Sequence, residues 1–211
     1  MKHIFILLSF ILFTSSLYSQ SFRVSKNVLS TSLYQPFAPE SGYTISYERM
    51  LDPGYSSNAA QFSYKMNVTL ISDNKRSRVG NDSIQVFYDR DAYQYSGFSV
   101  LPEFKYYFTW DAPMGIYINL FGSYTDYIKT YTDVRIGEAS SYEKKYTKIG
   151  RGIGAGFQFK IFSDFTLDIV GGYHLQNVST ETKSYGSDEF LENPKEKDEN
   201  LYLNVGFGIN F

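Results

Sequence analysis

Apolar and polar residues alternate through segment after segment of this chain, and that period of two constrains its fold more than any other feature. Near the C-terminal end Leu201, Leu203, Val205, Phe207, Ile209 and Phe211 fall on one face, with Tyr202, Asn204, Gly206, Gly208 and Asn210 on the other. Ile116, Ile118, Leu120 and Tyr124 alternate in the same way with Tyr117, Asn119, Phe121 and Ser123. So do Phe157, Phe159 and Ile161 with Gly156, Gln158 and Lys160, and Phe165, Leu167 and Ile169 with Thr166, Asp168 and Val170. Successive side chains of a strand point to opposite faces, so each segment pairs a full apolar face with one of Gly, Ser, Asn, Lys or Glu. Helical spacing is hard to find, and no run after the first twenty residues has the roughly 18 apolar residues that a membrane helix needs.

The alternation predicts eight strands, at about 28–37, 42–51, 58–72, 95–108, 116–124, 150–161, 165–175 and 201–211. The fifth and sixth can extend well past the bilayer, through Val134 and back from Tyr142, with protruding edges that are templates for strand addition. Pro102 falls on the apolar face of the fourth, where it costs a ladder bond and predicts a bulge. Short turns at 52–54, 109–113 and 163–164 alternate with long polar connections at 73–94, 127–144 and 177–199. Residues 83–88 also alternate and read as part of a hairpin standing above the membrane. Short turns on one rim and long loops on the other are the asymmetry of an up-and-down outer-membrane barrel with periplasmic termini. Phe108, Trp110, Phe162, Phe165 and Phe211 cluster at the short-turn rim, and Tyr95, Tyr124, Tyr127, Tyr131 and Tyr173 toward the other. Both sets read as aromatic belts at headgroup depth. A soluble sandwich or lipocalin would not place a full apolar face on every strand.

Residues 1–19 have a basic head, an apolar stretch over 4–13 and a small polar tail, the pattern of a secretory signal peptide, which leaves 20–211 as the barrel domain. Without cysteine the chain has no disulfide, thiolate metal site or cysteine nucleophile. A net charge of −2 does not suit a nucleic-acid binder.

Leu101-Pro102-Glu103-Phe104-Lys105-Tyr106-Tyr107-Phe108, followed by a short turn and Met114-Gly115-Ile116-Tyr117, resembles a strand pair of small Bacteroidota outer-membrane barrels. The strand over 150–160 is similar to the same group, and the ending at Phe211 resembles the signal read by the barrel assembly machinery. By size, barrels of the OmpX and OmpA type are the nearest analogues. The resemblance implies a structural, adhesive or accessory role at the outer membrane, among its lipids and lipopolysaccharide.

Catalytic and metal chemistry finds little support in the residues. His174 is the one histidine after the signal, and its parity points it into the barrel, where it reads as a hydrogen-bonded lumen residue. The acidic stretch 181–199 reads as a solvated loop, and no cofactor or metal site is expected. Gly150, Gly152, Gly154 and Gly156 lack the Lys-Ser/Thr ending of a phosphate loop and instead leave room for inward aromatics, with Tyr117 and Phe121 as candidates. Arg151 has lipid-facing parity near the outer headgroups, where it either contacts lipopolysaccharide phosphate or snorkels.

Within the strands the inward charges are Glu48, Glu103 and Asp168 against Lys65, Lys105 and Lys160. They predict a salt-bridged plug in the periplasmic half, below a roomier half lined by Ser99, Ser123, Gly150, Gly152, Gly154 and Gly172. The expected function is a non-enzymatic envelope barrel whose outer hairpins bind a partner protein or surface ligand. An OmpW-like conduit for a small hydrophobic molecule is the alternative, and a lipid-modifying enzyme a remote one.

Overall fold

The computed structural model describes residues 27–34, 42–51, 61–81, 86–108, 113–135, 138–162, 164–183 and 189–211. The signal segment, the turn at 52–54 and Trp110 lie outside them. The chain forms strands β1 (Asn27–Tyr34), β2 (Gly42–Leu51), β3 (Phe62–Asn81), β4 (Val86–Tyr107), β5 (Gly115–Arg135), β6 (Glu138–Phe162), β7 (Phe165–Lys183), β8 (Leu191–Glu192) and β9 (Glu196–Asn210). All neighbours are antiparallel. Each long strand pairs with the next, β7 pairs with β9, and β9 returns to β1, which closes an eight-stranded ring. The two-residue β8 adds beside β7 at Glu181 and Thr182, above the point where β9 begins. Closure removes the open edges around the ring, but above Ile71 β3 is paired among the described residues with β4 alone.

The period of two sorts the side chains as the alternation requires. Outward positions expose large apolar residues, among them Ile45, Leu70, Phe104, Ile118, Ile153 and Ile169. Inward positions are buried and mostly polar. An apolar exterior around a polar interior is the reverse of a soluble fold and suits a surface in contact with lipid.

Three expectations need correction. The 73–94 connection is largely strand rather than loop: β3 and β4 pair up to Asn81 and Val86, which puts 86–88 in a hairpin as the alternation suggested, while β5 and β6 pair up to Arg135 and Glu138, the extension past the bilayer expected of them. Pro102 makes no bulge. The β4–β5 register is the same at Val100–Tyr124 and at Glu103–Phe121, with only Leu101 and Pro102 missing from the ladder. The proline lacks an N–H and so drops out of the ladder, but the strands on either side stay in step. Finally, Tyr124 and Tyr173 do face outward, but Tyr95, Tyr127 and Tyr131 have inward parity and lie on the face that continues the lumen.

Candidate functional site

Glu48, Lys65, Glu103, Lys105 and Asp168 meet in the lumen, each at most 5% exposed. Four of them lie three or fewer residues from the short-turn end of their strand, and Glu103 lies slightly deeper. Lys105 is the hub. Its Nζ donates to Glu48 Oε2 at 3.0 Å, Asp168 Oδ2 at 3.0 Å and Gln158 Oε1 at 3.2 Å, which uses all three ammonium hydrogens. Lys65 Nζ reaches the same Asp168 oxygen at 2.7 Å. The other Asp168 oxygen accepts from the Tyr117 hydroxyl at 2.6 Å, and the Tyr107 hydroxyl donates to Glu48 Oε1 at 2.7 Å.

Glu103 is satisfied differently: amides of Asn67 and Asn119 donate to its two oxygens. Lys160 stands outside the cluster, exposed at the rim. It shares the inward parity of Gln158, but it lies beside the register shift between Lys160 and Phe162, where the lumen opens to water. The buried set is therefore three carboxylates against two lysines, with amides and phenols completing the bonding. Parity shows which charges point inward, but it does not show Asn67, Asn119 and Gln158 as their partners.

Above the cluster the lumen is filled rather than roomy. Tyr117 lies against Gly156, Asn119 against Gly154, Phe121 against Gly152, and His174 with Ser123 against Gly150. Each of these glycines sits where a Cβ would come within 2.6 Å of its partner's side chain. The ladder of missing side chains on β6 is thus the complement of the inward row on β5.

No protein-family model and no curated protein matches the chain. Among solved structures it is similar to a major outer membrane protein from Thermus thermophilus, with 10% identity over 88% of this chain and 98% of that one, at a TM-score of 0.56. Acinetobacter baumannii CarO2 matches at 12% identity, over 90% and 100% of the two chains, with a TM-score of 0.43. The fold is that of an outer-membrane β-barrel.

The two remaining sequence candidates sit higher in this barrel. His174 points into the lumen, where its Nε2 lies 2.8 Å from Ser123 Oγ and Phe121 packs edge-on against the ring. Ser123 is 51 residues away in sequence, so nothing beside the histidine in the chain points to it. Arg151 is exposed on the outer face beside a cavity of about 520 Å³ that Ile149, Leu175, Asn177, Lys197 and Glu199 also line. Gly150, Gln176 and Asp198 complete its lining.

Proposed function

We propose that the protein is a closed outer-membrane barrel, with its termini in the periplasm, that displays a binding surface on tall extracellular walls and neither conducts solutes nor catalyses a reaction. One observation carries this reading. The lumen is filled by the charge cluster and the aromatic row, while β3 to β6 run far beyond the apolar band. On β5 the exposed apolar residues end at Tyr124, yet the strand continues to Arg135. Eleven further residues reach on the order of 35 Å along the strand at the usual rise. Regular pairing maintained so far into water serves presentation rather than anchoring. The short-turn rim, where β1 and β9 meet at Asn27 and Phe211, is then periplasmic. Arg151 and Lys197 at the upper edge of the apolar band suit the phosphates of outer-leaflet lipopolysaccharide.

The experiment is surface labelling of intact cells at a cysteine placed at Gly137, between β5 and β6. Modification by a membrane-impermeant maleimide before lysis is the expected result, together with a heat-modifiable band on a semi-native gel. Labelling only after the envelope is broken would overturn the orientation. The closed lumen carries its own expectation. Planar-bilayer recording of pure protein should show no stable step, because an eight-stranded ring is filled by its own side chains. A reproducible porin-sized conductance would be incompatible with the proposal.

A further inference from the structure

The inner face of the tall walls carries a grid of tyrosines and lysines across β4, β5 and β6. Its top row is Tyr93, Tyr131 and Tyr142, and the row below is Tyr95, Lys129 and Lys144. Beneath them Tyr127 pairs with Tyr146, with Gly97 beside it on β4. Tyr131 and Tyr142 stack with centroids 4.3 Å apart and planes 7° from parallel, and Tyr127 and Tyr146 stack at 4.8 Å and 10°. Gly97 is required there: a Cβ would lie 2.5 Å from the Tyr127 Cα, so β4 and β5 approach too closely for any side chain.

Between the two stacks, Lys129 and Lys144 stand directly opposite each other. Like charges in that position destabilise a strand pair. Lys129 Nζ lies 4.6, 5.2 and 4.5 Å from the ring centroids of Tyr93, Tyr95 and Tyr131, and Lys144 Nζ lies 5.8 Å from those of Tyr131 and Tyr142. Aromatic faces attract a cation but supply no counter-charge. Among the described residues neither ammonium has a carboxylate within 4.0 Å. The acidic residue in their row is Asp73, opposite Tyr95 on β3 and therefore two strands from Lys129. Lys148, one row below the lower stack, lies 5.2 Å from the Tyr127 ring centroid and has a partner of its own. Burial acts to lower the Lys129 pKa, but hydrogen bonds with Tyr131 and Tyr95 outweigh it and leave the pKa raised, so this lysine stays charged.

The ring faces are already occupied by one another and by the lysines, so an incoming molecule meets phenol hydroxyls and ammonium groups. Both favour a ligand rich in oxygen and negative charge. β5 is hydrogen-bonded on both sides along this stretch, which leaves no edge for a peptide to join as a strand. The grid also looks across the ring toward β1 and β2, whose upper ends are Tyr34 and Gly42. We propose that this face binds an acidic polysaccharide, its carboxylates bridging Lys129 and Lys144 and its hydroxyls bonding to the tyrosine hydroxyls. The inference rests on the reading of these walls as an outward binding surface.

The test uses the full barrel in detergent and polygalacturonate oligomers as probe, with dextran and poly-L-glutamate as neutral and peptide controls. Polygalacturonate should bind, with an affinity that falls as salt rises, while dextran should not. Lys129→Met/Lys144→Met should bind at least about tenfold more weakly, the size of one lost charge-assisted contact. The variant should remain heat-modifiable, because removing opposed like charges relieves repulsion. Undiminished binding by the folded double variant, or no binding by the natural chain, overturns the proposal. Preference for poly-L-glutamate overturns the glycan assignment in favour of an acidic protein and leaves the binding-surface reading intact. Failure of that reading would appear separately, as a Gly137 cysteine that labels only after lysis.

Discussion

Lys105→Met is expected to lower the unfolding free energy of the barrel by about 3–5 kcal/mol, the usual cost of removing one partner from a buried ion pair. The loss is large because this one ammonium bonds Glu48, Asp168 and Gln158 together. Without it three buried carboxylates share the interior with Lys65 alone. Glu103→Gln should cost less, about 1–2 kcal/mol, because the new side chain still accepts from one asparagine amide while its own NH₂ group faces the other. Lys160→Met, at the exposed rim, should stay within about 0.5 kcal/mol of the natural chain. Urea titration in lipid, followed by the heat-modifiable band, measures all three. The order Lys105, Glu103, Lys160 is the decisive result. Equal effects, or a Lys160 variant that is the weakest of the set, would contradict the bonding described.

Gly156→Ala is expected to destabilise by about 1–3 kcal/mol, as overpacking does in a filled interior. A Cβ there would lie 2.4 Å from both Cζ and the hydroxyl oxygen of Tyr117, and 2.7 Å from the Ile169 carbonyl oxygen. The ring must move, and with it the hydroxyl that donates to Asp168. Tyr117→Phe alone should cost about 1.5–3 kcal/mol, the worth of a hydrogen bond to a charged group. Combined, the two changes should cost less than their sum by at least about 0.5 kcal/mol, since both act on the same bond. Gly122→Ala is the control. Its Cβ would meet the nearest atom, Pro102 Cγ, at an ordinary 3.8 Å, and stability should not fall. Strict additivity, or equal damage at both glycines, would show that the fit of β5 against β6 is not what holds Tyr117.

Much of this arrangement is legible in the chain because a strand has no freedom in where alternate side chains point. Parity alone turns Glu48, Lys65, Glu103, Lys105 and Asp168 inward and Ile118 and Ile153 toward lipid. It carries no information on depth, so Lys160 looks the same as Lys105 although it sits in water. Nor does it give partners across the lumen, where Asn67 and Asn119 meet Glu103 from β3 and β5. Strand ends are obscured for a different reason. Beyond the bilayer neither face of a strand needs to be apolar, so the sequence shows that the fifth and sixth strands can extend, through Val134 and back from Tyr142, but not which face turns inward, although every residue from Thr125 to Arg135 is paired. A signal was present there: Tyr127 and Tyr131, like Tyr142 and Tyr146, are four apart and therefore on one face. Reading Tyr127 and Tyr131 as part of a belt assigns them a depth near the headgroups and leaves out the side on which they lie.

The ring is also lopsided. β1 and β2 have 8 and 10 residues, whereas β4, β5 and β6 have 22, 21 and 25. Only seven residues join β1 to β2, so the mouth is cut obliquely, like the nib of a reed pen. With the walls facing outward as proposed, a molecule sinking straight down toward the membrane meets their crest, whereas one sweeping sideways along the cell surface enters over the low lip. The shape therefore favours cargo already tethered to the surface, held flat against it, over cargo arriving from the bulk.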